Sequence, residues 1–384
     1  VDIFEEDSMS HTAFRRSLSI LCLIAACTVA STGVERFEKT HDLAGELATG
    51  DSLRLENLLG SVTVEGGGPA GRVTLRALVV ADGETPAEAQ ALAESVRINS
   101  GRSGSAVRVH VVYPVETHPT FRPPKSDDQG FFSKWWSKVF KKDPLIAKYG
   151  GKSVTLGPTK GATPLAVHVS VTVPHDVNVE VQQVMGTVHC LRLRGRLDVD
   201  ATHGEVLIER IYGTVRARTD EGNLAIMTAK GETVDAEIRA GDLELIDVKA
   251  DVVRIGTGEG AIAGEKLGAG ALTIEALNGT VSLDELDATK FVVDTGSGDI
   301  DLGLRLQRAR EGSIRSGSGD VTLRLGTFAP FDLLIASTSG EIKSKGLPVE
   351  TVAGDGGQQR LKRGTGGARI EVTTGGGGVI LREQ

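Results

Sequence analysis

Apolar residues stand at every second position in a long series of short runs: Val206 and Ile208, Leu224 and Ile226, Leu243 and Leu245, Leu272 and Ile274, Val281 and Leu283, Ile300 and Leu302, Val321 and Leu323. The residues between them, Leu207, Ala225, Glu244, Thr273, Ser282, Asp301 and Thr322, are mostly polar. A period of two predicts strands with one buried and one wet face. A glycine, then a small or acidic residue, then an aliphatic recurs at Gly186, Gly204, Gly222, Gly241, Gly260, Gly279, Gly298, Gly319 and Gly340. The spacings are 18, 18, 19, 19, 19, 19, 21 and 21 residues, too regular for chance over nine copies. A second series falls midway, at Gly195, Gly213, Gly231 and Gly270, with Ala250 and Ala288 near its gaps.

Tandem repeats of this length, each with two short strands, predict an all-β fold. The expected architecture is a single-stranded parallel β-solenoid, or β-helix, of 18–21-residue coils, with backbone hydrogen bonds running between coils. The general preference of parallel crossovers makes it right-handed. Two or three faces per coil fit the pattern equally. The turn glycines Gly204, Gly222, Gly241, Gly279, Gly298, Gly319 and Gly340, with Asp299 and Asp320, are structural on this reading.

Upstream, residues 61–64, 73–80, 107–112 and 166–173 read as strands at irregular spacing. One helix intervenes, with Thr85 as its cap, Pro86 at its first position and Glu88 completing a capping box. At the C-terminus, residues 368–372 and 379–381 resume the strand pattern after a glycine-rich excursion and are expected to end or close the solenoid.

Residues 131–142, FFSKWWSKVFKK, break the pattern and hold both tryptophans of the chain. On a helical wheel Phe131, Phe132, Trp135, Trp136, Val139 and Phe140 share one half, and Lys134, Lys138 and Lys141 lie on the other. Aromatics opposite lysines suit an interfacial membrane helix. The same segment could instead cap an open end of the solenoid, or lie in a poorly ordered loop.

The first residues read as an export signal: Arg15 and Arg16, then a short apolar run over 18–26, then small residues, with Met9 a candidate start. Cleavage has two candidate routes. Residues 24–27, ending in Cys27, resemble a lipobox, which would make Cys27 the lipidated residue; residues 28–30 suit ordinary signal peptidase. The expected partition is signal peptide 1–30, N-terminal cap or first irregular coils 31–115, inserted loop with amphipathic helix 116–163, and solenoid repeats 164–384.

Composition narrows the function classes. A net charge of −8 argues against general nucleic-acid binding. After export only Cys190 remains as a thiol, so no intramolecular disulfide forms. Neither Gly-Ser-Gly-Asp copy continues into a phosphate-binding loop, so no nucleotide is expected. The repeat period matches calcium-binding β-rolls, but the site after the turn glycine varies among Asp242, Asp299, Asp320, Glu205, Glu341, Asn223, Thr187, Thr280 and Ala261. One variable carboxylate per coil cannot supply a hard cation's six or more oxygens. No metal or cofactor is expected; the turn side chains cap amides instead. His189 and Cys190 are adjacent in a strand and face opposite sides.

Residues 171–190, VTVPHDVNVEVQQVMGTVHC, and the Ser-Gly-Asp-Ile/Val turns that follow resemble the bacterial DUF4097 family, also described as an adhesin or LiaG-like β-repeat family. The resemblance runs from Leu53 to Leu381 apart from the insertion. It implies an exported or membrane-anchored envelope protein, periplasmic or extracellular, with no catalytic residues to carry over. The expectation is a non-enzymatic structural or adhesin-like interaction module whose partner is an envelope protein, a glycan or a membrane surface. The alternatives are a polysaccharide-modifying β-helix enzyme, with Asp294, Asp299, Asp301 and Asp320 as candidate acids, and a membrane-stress signalling accessory.

Overall fold

The computed structural model describes residues 34–125, 144–326, 329–355 and 357–383. The sequence expectations at residues 1–30, Cys27 included, and at 131–142 lie outside the described residues.

The chain first forms β1 (Glu35–Leu47), β2 (Ser52–Gly66), β3 (Gly71–Gly83), helix α1 (Pro86–Ser95), β4 (Arg97–Ser103), β5 (Ala106–Val112), β6 (Thr120–Arg122), β7 (Leu145–Tyr149), β8 (Lys152–Leu156) and β9 (Thr163–Val173). The stack continues with β10 (Asn178–Leu191), β11 (Arg194–Glu221), β12 (Leu224–Ala240), β13 (Leu243–Glu259), β14 (Ile262–Glu265), β15 (Gly268–Asn278), β16 (Val281–Thr295), β17 (Ile300–Leu304), β18 (Glu311–Ser316) and β19 (Val321–Leu325). It finishes with β20 (Phe331–Ser337), β21 (Ile342–Lys345), β22 (Glu350–Asp355), β23 (Gln358–Arg363), β24 (Ala368–Thr374) and β25 (Val379–Glu383).

Helix α1 starts as its sequence dictates. Thr85 Oγ1 accepts the Glu88 amide at 3.2 Å. The Glu88 carboxylate reaches back one residue further than a capping box requires, to the Glu84 amide at 3.0 Å.

From β10 onward each rung lies parallel on the one before: Val188 on Val206, Leu224 on Leu243, Ile262 on Val281, Ile300 on Val321. This is a β-solenoid. Strand β2 forms its first rung, pairing with β10 along its length, Val62 against Val188 and Val64 against Cys190. From that rung two sheets fan out, β5 and β4 on one side and β9, β3 and β1 on the other. The alternating aliphatics fill the interior as continuous columns. Where a column meets a gap, a neighbour swells into it: Leu283 fills the space at Gly264, and the Phe291 ring covers Gly312.

The turn glycines form a column of their own, longer than the nine-copy series. It runs Gly60, Gly186, Gly204, Gly222, Gly241, Gly260, Gly279, Gly298, Gly319, Gly377, Gly340. A Cβ on any of them after the first would stand far inside van der Waals contact with the carbonyl oxygen of the glycine one rung below. Hydrogen-bonded rungs, about 4.8 Å apart, leave no room there for a side chain. Beside the column runs a buried hydroxyl series. Ser316, Thr374 and Ser337 each accept the amide of their own turn glycine at 2.8 to 3.0 Å. Each donates to a glycine carbonyl of the rung below at 3.0 to 3.2 Å.

Three features differ from the sequence expectation. The two strands of a repeat are not always separate pieces; β11 runs unbroken from Arg194 to Glu221 through two glycine corners. Gly270 is not part of the second column, where Ala269 stands between Ala250 and Ala288. The sharp second corner is instead one left-handed residue per coil, at Arg192, Arg210, Thr228, Asp247, Lys266 and Glu285, with φ of 50 to 60°. No glycine marks it, so no glycine search finds it.

The third difference is the C-terminus, which neither ends nor closes the solenoid. Strands β24 and β25 insert between earlier rungs: β24 lies between β18 and β20, and β25 between β19 and β21. The far end is the β22–β23 hairpin, whose β23 pairs antiparallel with β20.

Candidate functional site

The structure fixes the point from which the aromatic–basic segment departs. Arg36 at the start of β1 lies beside Asp82 at the end of β3. Its Nε donates to Asp82 Oδ1 at 3.1 Å, and its Nη2 donates to the Lys125 carbonyl. Asp82 Oδ2 accepts the Lys125 amide at 2.5 Å. The Asp82 carboxylate is 1% exposed, and a charge so buried persists only with partners of this kind. The clamp ties the last described residue before 126–143 to the first strand of the fold.

The chain returns close by. Phe121 pairs with Leu156, and Leu156 with Leu145 at the start of β7. Two strand spacings, about 10 Å, therefore separate Phe121 from Leu145. Beneath this corner lies an aromatic plug. Tyr113 meets Phe121 and Tyr149 edge-on at 5.6 and 5.8 Å, and His110 stacks on Tyr149 at 5.1 Å. Tyr113 donates its hydroxyl to the Leu59 carbonyl at 2.6 Å, and Tyr149 donates to the Val111 carbonyl. Burial pushes both phenols above the ordinary tyrosine range, so they remain donors. His110 Nδ1 lies 3.1 Å from Glu56 Oε2. These groups fill the irregular end of the solenoid with satisfied hydrogen bonds and make it a rigid base.

The repeat turns are occupied by their own chemistry. Asn223 Oδ1 accepts the Asp242 amide at 3.1 Å, and Asp242 Oδ1 accepts the Ala261 amide at 2.9 Å. Asp299 caps the Asp320 amide at 2.9 Å, and Asp320 caps Gly378 at 2.7 Å. The capped amide belongs to the next rung rather than to the same turn. The stacked acids thus serve the ladder, and Asp301 pairs with Arg324 at 2.8 Å. Among the described residues no group of three or more His, Cys, Asp or Glu is placed to hold a metal ion.

Cys190 is fully buried, and burial pushes its thiol up to about 12. His189 points the other way, to Glu209 at 2.6 Å. The pair does not converge, as strand alternation requires. Sequence reading missed Arg36, Asp82 and Lys125. The one local signal is an aspartate ending the apolar strand 73–81, a polar group where a partner must exist.

A parallel solenoid with self-capped turns defines a class of repeat proteins. The chain belongs to the Toastrack DUF4097 family, whose profile matches residues 166–382. No curated protein sequence matches the chain. Similar solved structures include a candidate lipid-binding protein of Parabacteroides distasonis at 10% identity, covering 90% of this chain and 97% of that one, with a TM-score of 0.38. A candidate adhesin of Bacteroides fragilis is 10% identical with the same coverages and a TM-score of 0.31. A candidate cell-adhesion protein of Clostridium sporogenes is 8% identical over 90% of this chain and 100% of that one, with a TM-score of 0.21.

Proposed function

We propose that the chain is an exported, non-enzymatic module of the cell envelope that presents a rigid solenoid to an envelope protein or glycan, with residues 131–142 resting on the membrane surface. The observation that carries this reading is the Arg36–Asp82–Lys125 clamp. It joins the start of β1, which follows the export segment in sequence, to the departure point of the aromatic–basic segment. Eight residue steps separate Cys27 from Glu35, a reach of about 27 Å when extended. Six separate Lys125 from Phe131, about 20 Å. A lipid on Cys27 would therefore hold the clamped corner near a bilayer, within reach of Phe131, Phe132, Trp135, Trp136, Val139 and Phe140. Lys134, Lys138 and Lys141 would then face anionic headgroups, each adding about 1 kcal/mol near the surface.

The test is co-sedimentation of the full chain with vesicles of phosphatidylglycerol and phosphatidylethanolamine. The wild-type chain pellets with them, and the triple variant Lys134→Glu, Lys138→Glu, Lys141→Glu binds about 100-fold more weakly. Equal pelleting of the two chains, or none by either, overturns the proposal.

A further inference from the structure

The inserted C-terminal coil is held like a ligand in a slot. Strands β18 and β19 form one wall, and β20 and β21 the other. Both walls come earlier in the chain than the insert they hold. We propose that this slot accepts the 368–383 segment from a second copy of the chain as well as from its own, giving a coil-exchanged dimer.

Three observations carry the proposal. First, Gly377 supplies the missing member of the glycine column between Gly319 and Gly340, so the slot demands a glycine at one position. Second, the outward charges alternate only in the spatial order. Registered neighbours run Lys290, Glu311, Arg369, Asp332, Lys362, Glu350. Read along the chain, the same residues place three acids in succession. Without the segment, stacking in chain order would set Glu311 against Asp332. Two acids facing each other disfavour collapse of the slot and favour a cation at that one position of the insert. Third, the excursion is joined at glycine pivots. Gly346 and the turn glycines Gly364, Gly366 and Gly367 have φ between 67 and 92°, and a side chain at Gly366 would meet open space. A second copy is the occupant because it offers the one segment that carries both the glycine and the arginine in the matching register.

The experiment uses the full chain with a protease site placed in the 364–367 turn, folded intact and then cut. The cut protein keeps its fold and exchanges its own segment for a fluorescein-labelled peptide of residues 366–383 at one peptide per chain. A peptide carrying Gly377→Val is taken up at least 100-fold more weakly, and one carrying Arg369→Glu about five-fold more weakly. Two differently tagged populations of the uncut chain, mixed at high concentration, are co-captured as dimers that excess free peptide dissolves. No exchange by the cut chain, equal uptake of the Gly377→Val peptide, or no co-capture of the uncut chains overturns the proposal.

Discussion

A methyl group is the smallest change that the glycine column can be offered, and the column has no space for one. At Gly204 the new Cβ would overlap the Gly186 carbonyl on a backbone with φ of 153°, so both neighbours must move. Gly204→Ala is expected to cost about 3 kcal/mol or more in urea unfolding. Gly101→Ala, where a Cβ would meet nothing within 4 Å, should stay within about 0.5 kcal/mol of wild type. The left-handed corner makes the opposite prediction. Thr228, a β-branched residue at φ of 60°, stores strain, and Thr228→Gly is expected to gain about 0.5–1 kcal/mol by the same measurement. The glycine column was legible because its residue type is forced by sterics. The left-handed column was not, because Arg, Thr, Asp, Lys and Glu all occupy it under the constraint of the rungs on either side.

Titration follows from burial at the same scale. Desolvation lowers the folded pKa of His203 and of His168 below the ordinary 6.5. The unfolded chain then binds protons first, so stability is complete above about pH 6.5 and falls as pH drops toward the folded values. The unfolding midpoint should therefore be lower at pH 5 than at pH 7. The double variant His168→Gln, His203→Gln should lose part of that difference; an unchanged difference would contradict the assignment.

Among the elements, the strands were readable from period two and the helix from Thr85, Pro86 and Glu88. The place of the last coil was not. Gly319 and Gly340 stand 21 residues apart, like Gly298 and Gly319, so spacing alone stacks them directly. Backbone pairing instead sets Gly377 between them, and the signal was in the charges rather than the glycines. Arg369 lies in register with Glu311 on one side and Asp332 on the other. Arg369→Glu should destabilise the fold by about 1 kcal/mol in low salt, and adding Glu311→Gln should recover part of the loss. An effect of the same size for Lys345→Glu, at the margin of the far rung, would make the change a matter of net charge instead.

The whole molecule joins two segments that lie 89 residues apart in the sequence. A strand start at Arg36 and a loop base at Lys125 carry no mutual signature, since a single buried carboxylate from a third element brings them together. The solenoid was therefore readable from local repetition, whereas the clamped corner was not. Both tryptophans of the chain, Trp135 and Trp136, lie in the segment that departs from this corner, so tryptophan emission reports on that segment alone. The most direct measurement is tryptophan emission of the full chain titrated with anionic vesicles. A blue shift that saturates, and that fails with vesicles of phosphatidylcholine alone, is the predicted result; emission unchanged by anionic lipid would contradict the account.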